Sequence, residues 1–339
     1  MWNTKSSIML NSTSKIWCML KLNDVISLKL VAIGIDDEKI IIINLLGMEI
    51  HQIIKTEDTV YSLAQFKEDS KYLICSLSNG KMIIYILKGN KYIYLQTLKK
   101  PEELDKGELN KVITLSDGNL ATAERGAISI WKSILDKGGK KFEFFKEIIT
   151  EYDTCQLLEV NPKILTCAMY SIQQINIYKK NGKDYSLLET IKNVESHGKN
   201  SNCMAKINDK IFCSGGENGF IHIVSVEPVQ IIKKINIGDF DYVRFLHNSN
   251  DGFIFTSFEH KIIQFKIIND VEGNFIELQK NNEIDVGENN DAVITTNGNI
   301  FYKSKLENSD DKTLLILGNY YISRHNIEFK FSLDKYLNF

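Results

Sequence analysis

Long apolar runs are missing from this sequence. The nearest to one, IIIINLL at 40–46, falls far short of the ~20 residues a helix needs to cross a bilayer, so no membrane-spanning helix is expected. The opening MWNTKSSIMLNSTSKIW alternates polar with apolar residues and has no h-region. That argues against a signal peptide and leaves the Asn11-Ser12-Thr13 sequon idle. An excess of one charge is missing too. With 41 Lys and Arg against 43 Asp and Glu the formal net charge is -2, which gives no overall basic field to hold nucleic acid or an anionic membrane.

Chemistry-bearing motifs are equally scarce. The six cysteines, at 18, 75, 155, 167, 203 and 213, form no C-x-x-C and no dense framework. They read as buried thiols in a reducing compartment, hence a cytoplasmic or otherwise intracellular protein. Disulfides between Cys155 and Cys167 or between Cys203 and Cys213, each pair on neighbouring strands, are the minor alternative. The six histidines, at 51, 197, 222, 247, 260 and 325, never fall at H-x-H or H-E-x-x-H spacing, so no metal site is read and no cofactor is expected. No G-x-S-x-G elbow, paired-carboxylate motif or Walker-type loop is present. The scan leaves a non-enzymatic protein, apart from any catalytic groups that distant segments bring together.

What the sequence does have is a repeat. Seven windows share one pattern: VAIGIDDEKIIII ending at Ile43, LICSLSNGKMIIY at Tyr85, NLATAERGAISIW at Trp131, LTCAMYSIQQINIY at Tyr178, FCSGGENGFIHIV at Val224, IFTSFEHKIIQF at Phe265 and a degraded IFYKSKLENSDDKTLLI at Ile316. They recur about every 40 to 50 residues, the size of a four-strand unit. Each holds two short β-branched or alternating runs around a tight polar turn, a hairpin signal. A strand-like run ending in turn residues, such as NKVITLSDG or DAVITTNG, precedes each window, and an amphipathic run such as KYIYLQTLKK or VQIIKKINI usually follows. Four strands per unit and seven units predict an all-β, seven-bladed β-propeller of four-stranded antiparallel blades. The blades run over approximately 15–56, 59–99, 109–149, 153–192, 202–235, 240–280 and 291–334.

These windows resemble the WD-repeat family, in which a strand, a turn, an SGS-D-G hairpin and a closing aromatic recur at this spacing. The resemblance covers nearly the whole chain. SGGENGFIHIV and LATAERGAISIW match best, and the closing aromatic is present at Tyr85, Trp131, Tyr178 and Phe265 but not at Ile43, Val224 or Ile316. No window ends in Trp-Asp. The Gly-His usual before the innermost strand survives only as a reversed His197-Gly198. The resemblance implies a protein-interaction scaffold. The missing signatures imply that apolar packing between blades replaces the family's buried Asp-His-Ser-Trp network.

In this register SGGENG at 214–219 is the turn between the two middle strands of the fifth blade. A phosphate cradle would need a Lys-Ser or Lys-Thr and a helix behind it, whereas Phe220 and a strand follow. Ring closure has two candidates. One is KSSIML at 5–10. The other, slightly favoured, is NIEFKFSLD at 326–334, whose period-two alternation fits a half-buried outer strand.

Propellers of this kind bind through the loops at the two ends of the ring. On the face carrying the middle hairpin turns, acids gather at Asp36, Asp37, Glu57, Asp58, Glu124, Glu217, Asp239 and Glu259, interrupted by Arg125. On the opposite face lysines dominate: Lys88, Lys91, Lys132, Lys137, Lys140, Lys141, Lys179, Lys180 and Lys183. The stretch at 131–147 mixes these lysines with aromatics, although Phe142, Phe144 and Phe145 fit an outer strand. The expected function is a non-enzymatic scaffold or adaptor in a multi-subunit complex, its acidic face docking a basic partner. The alternative is an RNA-binding or phosphate-surface adaptor using the lysine rim. A propeller enzyme with a central-channel site is the third reading.

Overall fold

The computed structural model describes residues 9–10, 16–22, 29–44, 49–66, 69–104, 107, 109–136, 139–169, 172, 174–192, 203–216, 219–238, 243–248, 252–258, 261–285, 290–296, 299–305 and 312–317. The chain starts with a short strand, β1 (Met9–Leu10). It then builds sheets from β2 (Ile16–Lys21), β3 (Leu30–Ile35), β4 (Lys39–Asn44) and β5 (Glu49–Lys55), and from β6 (Val60–Gln65), β7 (Tyr72–Leu77), β8 (Met82–Lys88) and β9 (Lys91–Leu98). The third and fourth sheets are β10 (Leu109–Thr114), β11 (Leu120–Glu124), β12 (Ala127–Asp136), β13 (Gly139–Ile149) and β14 (Thr154–Asn161), β15 (Ile164–Met169), β16 (Gln174–Asn181), β17 (Asp184–Lys192). The fifth and sixth are β18 (Cys203–Lys206), β19 (Ile211–Gly215), β20 (Phe220–Val226), β21 (Val229–Asn236) and β22 (Val243–Asn248), β23 (Phe253–Phe258), β24 (Lys261–Asn269), β25 (Phe275–Asp285). The last strands are β26 (Asn290–Thr296), β27 (Asn299–Lys305) and β28 (Lys312–Leu317).

These strands pair as seven four-stranded antiparallel sheets, each in simple up-and-down order. The innermost strand of each sheet packs against the innermost strand of the next, from β2 through β6, β10, β14, β18 and β22 to β26, and β26 also packs against β2. That last contact turns a row of sheets into a closed ring, which leaves no exposed sheet face at either end. In the seventh sheet the outer place is taken by β1, with Met9 opposite Thr313 and Leu10 opposite Lys312. The alternating stretch at 326–334 lies outside the described residues.

Burial explains the sequence pattern. Middle strands are covered on both faces by neighbouring sheets, so β3 and β15 are buried at every position and read as near-continuous apolar runs. Outer strands keep one wet face, and β21 alternates strictly between half-buried and exposed. The cores lie between sheets: Leu30 and Ile42 pack with Val60 and Leu73, and Ala64 and Ile74 with Val112 and Trp131. Each fully buried Ile or Leu contributes ~1.5–3 kcal/mol, and no sheet could bury these faces alone.

Two bulges recur in register. At the start of the inner strand one residue is skipped in six sheets: Trp17, Tyr61, Asn110, Cys155, Arg244 and Ala292. On the outer strand the skipped residues are His51, Leu95, Phe145, Leu188, Ile232 and Asn281. Next to this outer bulge a side chain reaches the neighbouring blade. Gln52 clamps the backbone of Tyr92 (2.7 and 2.9 Å), Gln96 that of Phe142 (2.8 and 3.2 Å), and Lys146 and Lys233 meet Asp184 and Glu277.

The glycine-rich stretch of the fifth sheet is a hairpin turn between β19 and β20, with Gly219 at φ 66°. Gly215 has a separate role. A Cβ there would lie 2.5 Å from Val243 of the next blade, as one at Gly34 would lie 2.6 Å from Val60 and from Cys18. The six thiols are free. Cys167 stands opposite Leu157 and Cys213 opposite Ala205, so neither candidate disulfide pair is in register.

Candidate interaction surfaces

The acidic face is densest where the first two blades meet. Asp36, Asp37 and Glu38 form the turn between β3 and β4, with Glu38 in the left-handed region at φ 53°. Glu57 and Asp58 link β5 to β6. The Thr59 amide donates to the Asp58 carboxylate (2.7 Å), and the Thr59 hydroxyl donates to the Asp36 carbonyl across the blades (3.4 Å). Lys39 pairs with Asp37 and Lys81 with Glu57. Beside them the inner-strand bulge presents aromatics. Trp17 is 43% exposed and packs on Tyr61 with ring centroids 4.9 Å apart. Sequence reading missed this pair, because a one-residue bulge is invisible in a period-two pattern. Arg125 is exposed, whereas Glu217, Asp239 and Glu259 lie outside the described residues.

Glu124 does not belong to this surface. Its side chain is 3% exposed and its carboxylate accepts from Lys100 Nζ at 2.6 Å. Lys100 also pairs with Glu147. The Trp131 indole N–H donates to Thr122 Oγ1 (3.1 Å), and Thr122 in turn donates to Glu124 (2.7 Å). Thr154 of the next blade accepts from the Glu124 amide (2.8 Å) and donates to the Glu124 carbonyl (2.9 Å). The third blade therefore holds a buried polar chain of Trp, Thr, Glu and Lys. This corrects the expectation that apolar packing alone joins the blades. Lys100 lies on the link into the third blade, and its charge can be buried only because two carboxylates meet it.

The lysine rim is divided. Lys88 and Lys91 flank the β8–β9 turn, and with Lys132, Lys141, Lys179 and Lys183 they are exposed; Lys137 lies outside the described residues. Lys140 is half-buried, its ammonium 4.2 Å from the Phe66 ring centroid. Lys180 pairs with Asp117 at 2.5 Å and sits over Tyr185. Burial alone would raise the Asp117 carboxyl, but the Lys180 and Asn119 hydrogen bonds hold it below the usual carboxylate range. The 131–147 segment is mostly β12 and β13 hairpin. Phe142 is buried against Phe66 at 5.6 Å, Phe144 lies edge-on to Trp131, and Phe145 is exposed at the bulge.

A cavity of about 940 Å³ is lined by residues of the inner strands of the first five blades, by the turns that follow them and by Lys140. Lys111 projects into it, and no sequence signal separated this lysine from other strand lysines. Desolvation lowers its pKa below the ordinary lysine value, only partly offset by the Cys18 thiol. Among the described residues no three His, Cys, Asp or Glu side chains gather to hold a metal ion, and no helix is long and apolar enough to cross a membrane.

No known family's profile matches the sequence, and no curated protein matches it. Solved structures do match in fold. U3-55K superposes with a TM-score of 0.69 at 10% identity, covering 91% of this chain and 97% of that one. The WD40 repeats of RRP9 give 0.70 at 11% identity, with 93% and 100% covered. The WD40 β-propeller domain of Doa1 gives 0.63 at 13% identity, with 92% and 96% covered. The chain has the fold of the WD40-repeat propellers, in a divergent sequence.

Proposed function

We propose that this divergent WD-repeat-like propeller is a non-enzymatic interaction scaffold, and that it holds a basic partner segment on the hairpin face of its first two blades. The observation that carries the reading is the exposed Trp17 packed on the half-buried Tyr61, in the region of Asp36, Asp37, Glu38, Glu57 and Asp58. Aromatic anchors ringed by charge suit a partner with an apolar residue next to Lys or Arg. A rigid ring needs no ordering on binding, which favours affinity from few contacts. Six thiols without a disulfide suit a reducing, intracellular compartment.

The test is affinity capture from the native cell with the wild-type chain and with a W17A/D36K/D58K variant whose melting temperature is unchanged. A stoichiometric companion that the variant loses supports the reading. A companion retained by the variant removes this face from it, and recovery of the chain alone with turnover of a small molecule removes the scaffold.

A second reading rests on the exposed Lys88, Lys91, Lys132, Lys141, Lys179 and Lys183, which suit a phosphate-bearing surface such as RNA. Replacing Lys88, Lys91 and Lys141 by Glu then weakens RNA binding and flattens its salt dependence. Unchanged affinity reduces the rim to a solvated edge.

A further inference from the structure

The outer hairpin of the third blade reaches further from the ring than its neighbours do. Trp131 stands opposite Leu120, the first residue of β11, and β12 runs on to Asp136, five residues beyond. β8 and β16 run only two residues past Ile86 and Lys179, the partners of Tyr72 and Ile164. Three extra residues at ~3.3 Å each carry the tip about 10 Å past the turns on either side. Near that tip Leu135 is 87% exposed and Ile134 37%. Lysines surround the pair. Lys132 and Lys141 lie on the same ribbon, Lys141 directly opposite Ile134. Lys88 and Lys91 on the second blade and Lys179 and Lys183 on the fourth occupy the flanking turns at the same end of the ring, and all six are exposed. Lys88 and Lys91 also face each other across their turn, where like charges repel. Among the described side chains near these turns the acids are Asp184, paired with Lys146, and Glu143, opposite Lys132. The sixth blade offers a contrast. Its hairpin turn carries a fully exposed Val271, but between Asp270 and Glu272, so there the apolar tip has acidic neighbours.

With a net charge of -2 the chain has no long-range pull on an anionic surface, and a local group of lysines acts only within a Debye length, ~10 Å in 0.1 M salt. The partner must therefore come close and meet the apolar tip as well as the charge. Aliphatic side chains offer no ring on which a nucleotide base could stack. Collared by lysines, they match the boundary between anionic headgroups and acyl chains. We propose that this end of the ring docks on an anionic lipid bilayer, with Ile134 and Leu135 entering the acyl boundary and the lysines of the three hairpins on the headgroups. The proposal rests on the phosphate-surface reading of the lysine rim and names its surface. The acidic face lies at the opposite end of the ring and stays open to its own partner.

The test is co-sedimentation of the full chain with vesicles of phosphatidylcholine alone and of phosphatidylcholine mixed with phosphatidylserine, with binding of single-stranded oligouridylate measured alongside. I134S/L135S, K88E/K91E and the control V271S alter only exposed side chains, and each is used with its melting temperature unchanged. The wild type is expected to bind the mixed vesicles about 10-fold or more tighter than the neutral ones, and less tightly as salt is added. I134S/L135S and K88E/K91E are each expected to weaken that binding about 10-fold or more, and V271S to leave it unchanged. Absence of binding to the mixed vesicles, equal binding to the neutral ones, or binding that I134S/L135S does not weaken would each overturn the proposal. Oligouridylate binding that only K88E/K91E weakens, without vesicle binding, overturns the bilayer and keeps the phosphate-surface reading. Binding of both ligands untouched by K88E/K91E overturns the two together.

Discussion

Replacing Lys100 by Met should destabilise this protein more than any single charge removal around it. Lys100 and Glu124 have side chains 4% and 3% exposed, and Glu147 is 8% exposed. Two carboxylates share one ammonium. Removing the ammonium leaves two like charges buried without compensation, whereas removing one carboxylate's charge leaves a balanced pair. Breaking a buried ion pair from one side costs ~3–5 kcal/mol, so K100M should lie at the top of that range. E124Q keeps an oxygen to accept from Thr122 and relieves the charge imbalance, so it should cost about 1 kcal/mol or less. E147Q should behave similarly. Guanidinium unfolding at neutral pH measures all three, with unchanged slopes showing that the unfolded state is not what moved. In thermal melts K100M should fall by about 10 °C, given ~2 °C per kcal/mol for a chain of this size. A K100M cost under about 1 kcal/mol, or an E124Q cost exceeding that of K100M, would refute the charge-balance reasoning.

Three further outcomes follow from the packing. Gly34→Ala and Gly215→Ala place a Cβ within 2.6 Å of Val60 and 2.5 Å of Val243, and each should lose about 1–3 kcal/mol in chemical denaturation through overpacking between blades; Gly182→Ala meets no atom within 4 Å and should lose only the ~1 kcal/mol of its left-handed backbone. Gln52→Ala and Gln96→Ala each remove an amide clamp on the next blade; hydrogen exchange at the Tyr92 and Phe142 amides should quicken accordingly, with a stability loss of about 1–2 kcal/mol. Asp117 has a folded pKa below its unfolded one, so its contribution is complete above the unfolded carboxylate range and disappears as pH falls through the folded value. K180M should reduce that acid-side slope in melts between pH 6 and the acid limb, by no more than the ~1 kcal/mol of a partly exposed pair, the Asn119 hydrogen bonds remaining.

Much of the fold was legible because each blade repeats its own local physics. Buried middle strands read as Ile-rich runs, outer strands alternate, and turn glycines such as Gly118 and Gly252 adopt the positive φ their positions need. The features that decide the surfaces were not legible, because each depends on contacts distant in sequence. Glu124 sits in a turn tetrad like the other acids, yet Lys100 is 24 residues before it and meets it only once the third blade closes. Trp17 and Tyr61 are brought together by bulges that a strict alternation hides. Ring closure by β1 rests on a two-residue pairing, too short to show any periodicity, while 326–334 alternates over its whole length.

The central claim is that a closed ring presents its first two blades to a basic partner. Hydrogen exchange of the free chain against its purified complex tests it most directly. Slowed exchange confined to the turn at 36–38 and the stretch at 58–61, with 88–91 and 181–184 unchanged, is the predicted footprint. Protection only at the lysine-bearing turns, or no protection on the hairpin face, would contradict it.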